Sequence, residues 1–133
     1  MGVDVGAVRA GVAVSDAAAT VASPHATIEG GDGLARRLAN LARDLACDTV
    51  VVGLPKGMSG RDTASTRAAR VVANELSEQG FDVHLWDERL SSAEAERLLL
   101  EAGRRRRQRR DERDRVAAAI ILQGWLDARG GAA

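Results

Sequence analysis

The stretch GVDVGAVRAGVAVSD, residues 2–16, decides the fold. Two short β-branched runs, 2–5 and 10–15, flank residues 6–9, and this pattern predicts a hairpin of antiparallel strands. Asp4 stands in the middle of the first run. An uncompensated charge inside so apolar a run costs several kcal/mol. Asp4 is therefore either tied up structurally, with Arg9 the nearest base, or it waits for a cation.

Working outward, a third strand is expected over 20–28, interrupted by Pro24. Leu34, Leu38, Leu41 and Leu45 recur at helical spacing, with Asp32 placed where a helix start favours an acid. TVVVGLP, 49–55, is a continuous apolar run ending in turn residues, as expected of a strand covered on both faces. A Gly-rich loop, 56–62, leads into a second helix through Ala64, Ala68, Val71, Val72 and Leu76, closed by Gly80. A strand over 81–86 follows. Ser91 or Ser92 then begins a further helix ending at Gly103. The last helix is expected over 112–128, with Val116, Ala117, Ile120, Ile121, Leu122 and Trp125 on its apolar side. A hairpin meander followed by alternating helices and strands predicts an α/β fold: a mixed five-stranded sheet flanked by helices.

Composition limits what such a chain can be. It has 133 residues, one domain's worth, and a domain near this size buries roughly 68–70% of its unfolded surface. We therefore expect a single domain over 1–133. Hydrophobic residues at 45% and charged residues at 29% are ordinary globular proportions, not those of a disordered tail. The single cysteine, Cys47, cannot form an intramolecular disulfide, and no opening segment has the pattern of a signal peptide, so a reducing, cytoplasmic location is expected. No window approaches the ~18 consecutive apolar residues of a membrane span. Net charge is zero but unevenly spread: residues 97–115 carry nine arginines against four acids, a net of +5, and the remainder carries −5.

Three acids stand where apolar residues dominate or an element ends: Asp4 in the first strand, Glu88 in WDERLSS past the last strand, and Asp114 in the first turn of the last helix. If the first strand is central and the strands at 49 and 81 lie beside it in order, Asp4 and Glu88 emerge near one edge of the sheet. The last helix can then bring Asp114 over them. Clustered carboxylates repel, and such hard oxygen ligands are neutralised by Mg2+ or Mn2+. Taken singly, each acid also has a structural reading: Glu88 could pair with Arg89 or cap a helix, and Asp114 could favour a helix dipole. His25 and His84 complete no triad or zinc set.

The ordered blocks GVDVGAVRAGVAVSD, VVGLPKGMSG, WDERLSSAEAERLLLEAG and RDRVAAAIILQGWLD span nearly the whole chain and resemble the YqgF/RuvX family of ribonuclease H-like bacterial nucleases. The resemblance implies a ribonuclease H-like fold and a site for two divalent ions, Mg2+ or Mn2+. It also implies trimming of the 5′ end of precursor 16S rRNA, with Holliday-junction resolution as the alternative. Carried over by motif, Asp4, Glu88 and Asp114 are the catalytic, metal-binding acids, and Gly53, Leu54 and Pro55 are the family's Gly-Leu-Pro. The expected mechanism is metal-assisted phosphodiester hydrolysis, with Asp4 bridging two ions.

Arg104, Arg105, Arg106 and Arg107 precede the last acid in a loop more arginine-rich than the family pattern, and phosphate binding is expected of them. Arg9, Lys56 and Arg89 are further candidates for nucleic-acid binding. Two rival classes differ in kind. An ATP-binding domain of the actin and sugar-kinase type shares a strand–Gly turn–strand opening, but the Lys56 loop lacks the G-x-x-x-x-G-K-[ST] pattern. A non-catalytic nucleic-acid-binding factor would gain nothing from three acids facing phosphate. RNA is favoured over a DNA junction as substrate, and a monomer over a dimer, because no apolar stripe is left over.

Overall fold

The computed structural model describes residues 1–57, 59–90 and 109–131, with side chains in the last helix described over 113–129. The opening stretch forms β1 (Gly2–Val5) and β2 (Arg9–Ser15), paired antiparallel with Asp4 opposite Gly11. Next to β2 lies β3 (Ala22–Glu29), also antiparallel, starting two residues later than expected. Pro24 has no N–H to give a sheet ladder. It sits on this edge strand beside the irregularity between Val12 and Ala13, where a missing donor is tolerated.

On the other side of β1 the pairing is parallel. The apolar run forms β4 (Thr49–Leu54) and the strand after it β5 (Asp82–Asp87), giving the order β3-β2-β1-β4-β5. The strand is thus displaced by one residue from the expected 81–86. Val50 to Val52 have no accessible surface, so β4 is covered on both faces as its continuous apolar run implies.

One face is covered by α1 (Leu34–Asp44) and α2 (Ala64–Glu78). Leu34, Leu38 and Leu76 pack there against Val3, Val12, Val50 and Val52. Fully burying side chains of this size contributes about 1.5–3 kcal/mol each. The expected role of Asp32 is not met. Gly33 is the N-cap of α1, at φ 81 with no side-chain cap, and the first turn contains no acid. At α2 the start is marked by two threonines: Thr63 and Thr66 form a reciprocal capping box, and Gly80 at φ 96 follows the helix end.

The opposite face is covered by the last helix, α3 (Arg109–Gly131). It is longer than expected at both ends, so Asp114 lies more than one turn inside and not in the first turn. A helix dipole acts within the first turn, so it does not account for an acid there. The apolar side is also rotated from the expected one: Ala118, Ala119, Ile121, Leu122 and Leu126 are buried, while Val116, Ala117 and Ile120 are only half-buried. The helix expected between Ser91 and Gly103, and the loop holding Arg104 to Arg107, lie outside the described residues.

Candidate active site

The α3 face of the sheet is paved with glycine where α3 crosses it. A Cβ added to Gly2 would fall 2.6 Å from Leu122 Cβ, one on Gly11 would overlap the carbonyl of Asp114, and one on Gly53 would overlap Ile121. Each residue belongs to a different strand. Together they let the helix backbone approach the sheet more closely than any side chain permits.

This close approach sets the acids. Asp4 and Gly11 are directly paired, so they share a face, and the Asp114 backbone rests on Gly11. In the parallel pairing Val3 lies beside Val52, and one step further along puts Asp4 beside Gly53. A Cβ on Gly53 would stand 3.2 Å from Glu88 Oε2, which places that carboxylate against the same spot. Glu88 begins a short 3-10 turn, Glu88–Leu90, directly after β5, and its Oε2 is buried. Asp4, Glu88 and Asp114 therefore come to one end of one sheet face from three separate elements. They do not form a closed ligand shell: among the described residues no three His, Cys, Asp or Glu side chains are grouped to hold an ion.

The cations beside them have definite partners. Arg9, at the start of β2, donates from Nε to Asp114 Oδ2 at 2.9 Å, so the base nearest Asp4 in sequence pairs with the acid 105 residues away. Arg89 pairs with Asp87: Nε donates to Oδ1 at 3.0 Å, Nη2 to Oδ2 at 2.6 Å, and the Arg89 backbone N–H to Oδ1 at 2.9 Å. The Arg89 guanidinium holds the Asp87 carboxyl down to about 2. Arg89, which the sequence offers as a partner for Glu88, is gripped by Asp87, the residue before Glu88.

Lys56, Glu88 and Arg89 line a cleft of ≈ 260 Å³ with Pro55, Ile120 and Ile121. Its rim is fixed from behind by Thr66, fully buried, whose hydroxyl donates to the Pro55 carbonyl at 2.7 Å. Thr63 Oγ1 donates to the same carbonyl at 3.3 Å. The T-x-x-T spacing after a Gly-rich loop is the signal that could have identified these positioning residues. The guanidinium of Arg89 reaches towards the loop that follows Lys56, with Nη1 3.2 Å from where a Gly60 Cβ would lie. A larger hollow of ≈ 410 Å³ lies on the α1–α2 side, lined by Val5, Leu34, Val71 and Val72, away from the three acids.

Asp4, Glu88 and Asp114, each half-buried near Gly53 or Gly11, offer the hard oxygen donors that suit a divalent cation of the Mg2+ or Mn2+ type. The fit requires Asp114 to turn from Arg9. His84 is engaged elsewhere, with Nε2 3.0 Å from Asp82 and its ring 5.0 Å from that of Trp125.

A mixed five-stranded sheet of this order, flanked by helices, is a ribonuclease H-like fold. Solved structures of RuvC from Thermus thermophilus share the fold. The one in complex with a Holliday junction substrate matches with a TM-score of 0.59 at 16% identity, covering 98% of this chain and 94% of that one. A second RuvC structure matches with a TM-score of 0.55. The family model RuvX, described as Holliday junction resolvase, matches residues 1–128, and the chain belongs to that family. Among curated relatives named "Putative pre-16S rRNA nuclease", one from Anaeromyxobacter is 45% identical over 97% of this chain and 96% of its own length. Others from Myxococcus xanthus and Lactococcus lactis are 44% and 39% identical, each over 96% of this chain, covering 87% and 93% of their own lengths.

Proposed function

We propose that this chain is a divalent-metal-dependent nuclease that hydrolyses phosphodiester bonds in RNA and processes the 5′ end of precursor 16S rRNA in the cytoplasm. The observation that carries the reading is the convergence of Asp4, Glu88 and Asp114 at one end of the α3 face. The relatives named for pre-16S rRNA support the substrate. Asp4, central in the sheet, and Glu88, with its buried Oε2, would hold the ions together with Asp114. Bound Mg2+ or Mn2+ supplies Lewis acidity and lowers the pKa of water, the chemistry needed to break the bond between phosphorus and the 3′-oxygen.

The remaining residues bind and orient. Lys56 and Arg89 face one cleft, where they hold phosphate oxygens, and Asp87 keeps the Arg89 fork in place. Arg104, Arg105, Arg106 and Arg107 contribute further phosphate contacts, and Arg9 stands next to the acids. The enzyme acts as a single-domain monomer. In support, the exposed large apolar side chains among the described residues, Val8, Val21, Val71, Leu85 and Leu90, are distributed over separate segments.

A second reading, resolution of four-way DNA junctions, is favoured by the RuvX family description and by the fold shared with RuvC bound to a junction. Symmetric paired cuts follow directly from a two-fold dimer, whereas trimming a single-stranded extension needs one site. The test compares cleavage of a 5′-extended 16S rRNA fragment, matched DNA and an immobile junction in Mg2+ and Mn2+, with mass in solution measured in parallel. Metal-dependent cleavage of the RNA by a monomer is expected. A stable dimer that cuts the junction symmetrically and leaves the RNA intact would replace the first reading with the second.

A further inference from the structure

We propose that Arg9 is an exchangeable internal counter-ion: it neutralises Asp114 until a divalent cation takes that carboxylate, and it then turns its guanidinium to substrate phosphate. The proposal rests on the metal-site reading above.

Three observations carry it. The Arg9–Asp114 pair is formed at 2.9 Å across 105 residues, with side-chain exposures of 34% and 28%, so the pair is accessible enough to open. Asp114 lies on Gly11, the residue paired with Asp4, so two carboxylates share one locality and need positive charge there. Finally, no three acidic or imidazole side chains are gathered for an ion among the described residues, and the Asp114 carboxylate is engaged with Arg9.

A guanidinium and a metal ion cannot both occupy Oδ2. Each therefore weakens the other's hold, and by linkage the weakening is reciprocal. Release of Arg9 puts a planar donor fork, suited to phosphate, beside the site only once the cation is in place. Metal loading and phosphate binding are thus coupled in the favourable direction, and the metal-free enzyme holds the backbone of its substrate less well.

The experiment measures Mn2+ affinity by calorimetry, without substrate, for the wild type and for Arg9→Gln, Lys56→Gln, Asp4→Asn and the pair Arg9→Gln/Asp114→Asn against Asp114→Asn alone. Losing a charge-assisted competitor is expected to tighten Mn2+ binding of Arg9→Gln about tenfold. Lys56→Gln, which removes equal charge from the neighbouring cleft, should change it less than about twofold, and the Arg9→Gln gain should vanish when Asp114 is already Asn. An unchanged affinity in Arg9→Gln, or an equal gain in Lys56→Gln, overturns the exchange and leaves the pair a structural tie. Wild-type Mn2+ affinity in Asp4→Asn would instead overturn the metal-site reading itself. A measurement on the unmodified protein guards against a misfolded variant: the Arg9 Nε–H NMR signal should shift during a Mg2+ titration with the same midpoint as binding. A signal unmoved at saturating Mg2+ refutes the proposal.

Discussion

The two faces of the sheet are built on opposite rules. Towards α1 and α2 the strands present Val3, Val12, Val50 and Val52, and the helices answer with Leu34, Leu38 and Leu76. Towards α3 they present Gly2, Gly11 and Gly53 beside Asp4, and the helix lies almost directly on the strand backbone. The first face buries large side chains and supplies stability. The second also buries Val51, Ile121 and Leu122, but at its three glycines it gives up side-chain volume and so brings a helical acid to the end of the sheet where two others lie. Both sides of the strands thus carry apolar core, and the three acids lie on the α3 side alone.

The sharpest way to break this division is to damage each side in turn. Leu38→Ala, on the α1 face, should cost about 2–5 kcal/mol of stability by leaving a cavity, while the nuclease activity of the folded fraction is preserved. Chemical denaturation together with an active-fraction assay checks both halves. On the other face, Asp4→Asn and Glu88→Gln should reduce hydrolysis by roughly 10²–10³-fold or more with the fold intact, measured by single-turnover cleavage. Their thermal stability without metal should hold or rise, because repulsion between carboxylates is relieved. Asp114→Asn should lose activity alike but become slightly less stable, since it gives up the Arg9 pair.

Gly11→Ala tests the close approach itself. Its Cβ would overlap the Asp114 carbonyl, so α3 must shift, at about 1–3 kcal/mol, the usual range for overpacking. Activity should fall by more than stability alone explains. A variant that cuts at the wild-type rate would show that the spacing between helix and sheet does not set the acids.

The smallest effect concerns Asp87. Its carboxyl is held down to about 2 by Arg89, while an unfolded carboxyl titrates near ~3.9. The unfolded chain takes up the proton first as pH falls, so the pair's contribution is fully present above about pH 4 and is lost on descent to about 2. The difference in melting temperature between wild type and Asp87→Asn should therefore be constant at neutral pH and vanish over that acid interval. A difference that persists below pH 2 would mean that Asp87 acts by packing. At neutral pH the same variant should raise KM for RNA more than it lowers kcat, because a loosened Arg89 binds phosphate less well.

Much of this was legible from residues alone, and the reasons are local. Alternation in residues 2–16, the apolar run at 49–55 and leucines at helical spacing report strand and helix because side-chain direction follows backbone period. Asp4 stood out because a charge inside an apolar run has to be answered. Element ends were less legible. The expected acidic start at Asp32 yields to a Gly33 cap, and α3 begins three residues before the expected 112, because caps and last turns depend on what lies beyond them.

What the residues by themselves determined was the order of elements, the burial of β4 on both faces and the three acids worth watching. What only the tertiary structure decided was partnership. Arg9 stands five residues from Asp4 but donates to Asp114, 105 residues away. Arg89 turns to Asp87 while Glu88 between them points to Gly53, and Thr66 steadies Pro55 from inside the helix that follows it. Propensity and periodicity are properties of a few consecutive residues, whereas an ion pair is settled by which backbones can touch. For Arg9 and Asp114 it was settled where three glycines on three strands let one helix come down onto the sheet.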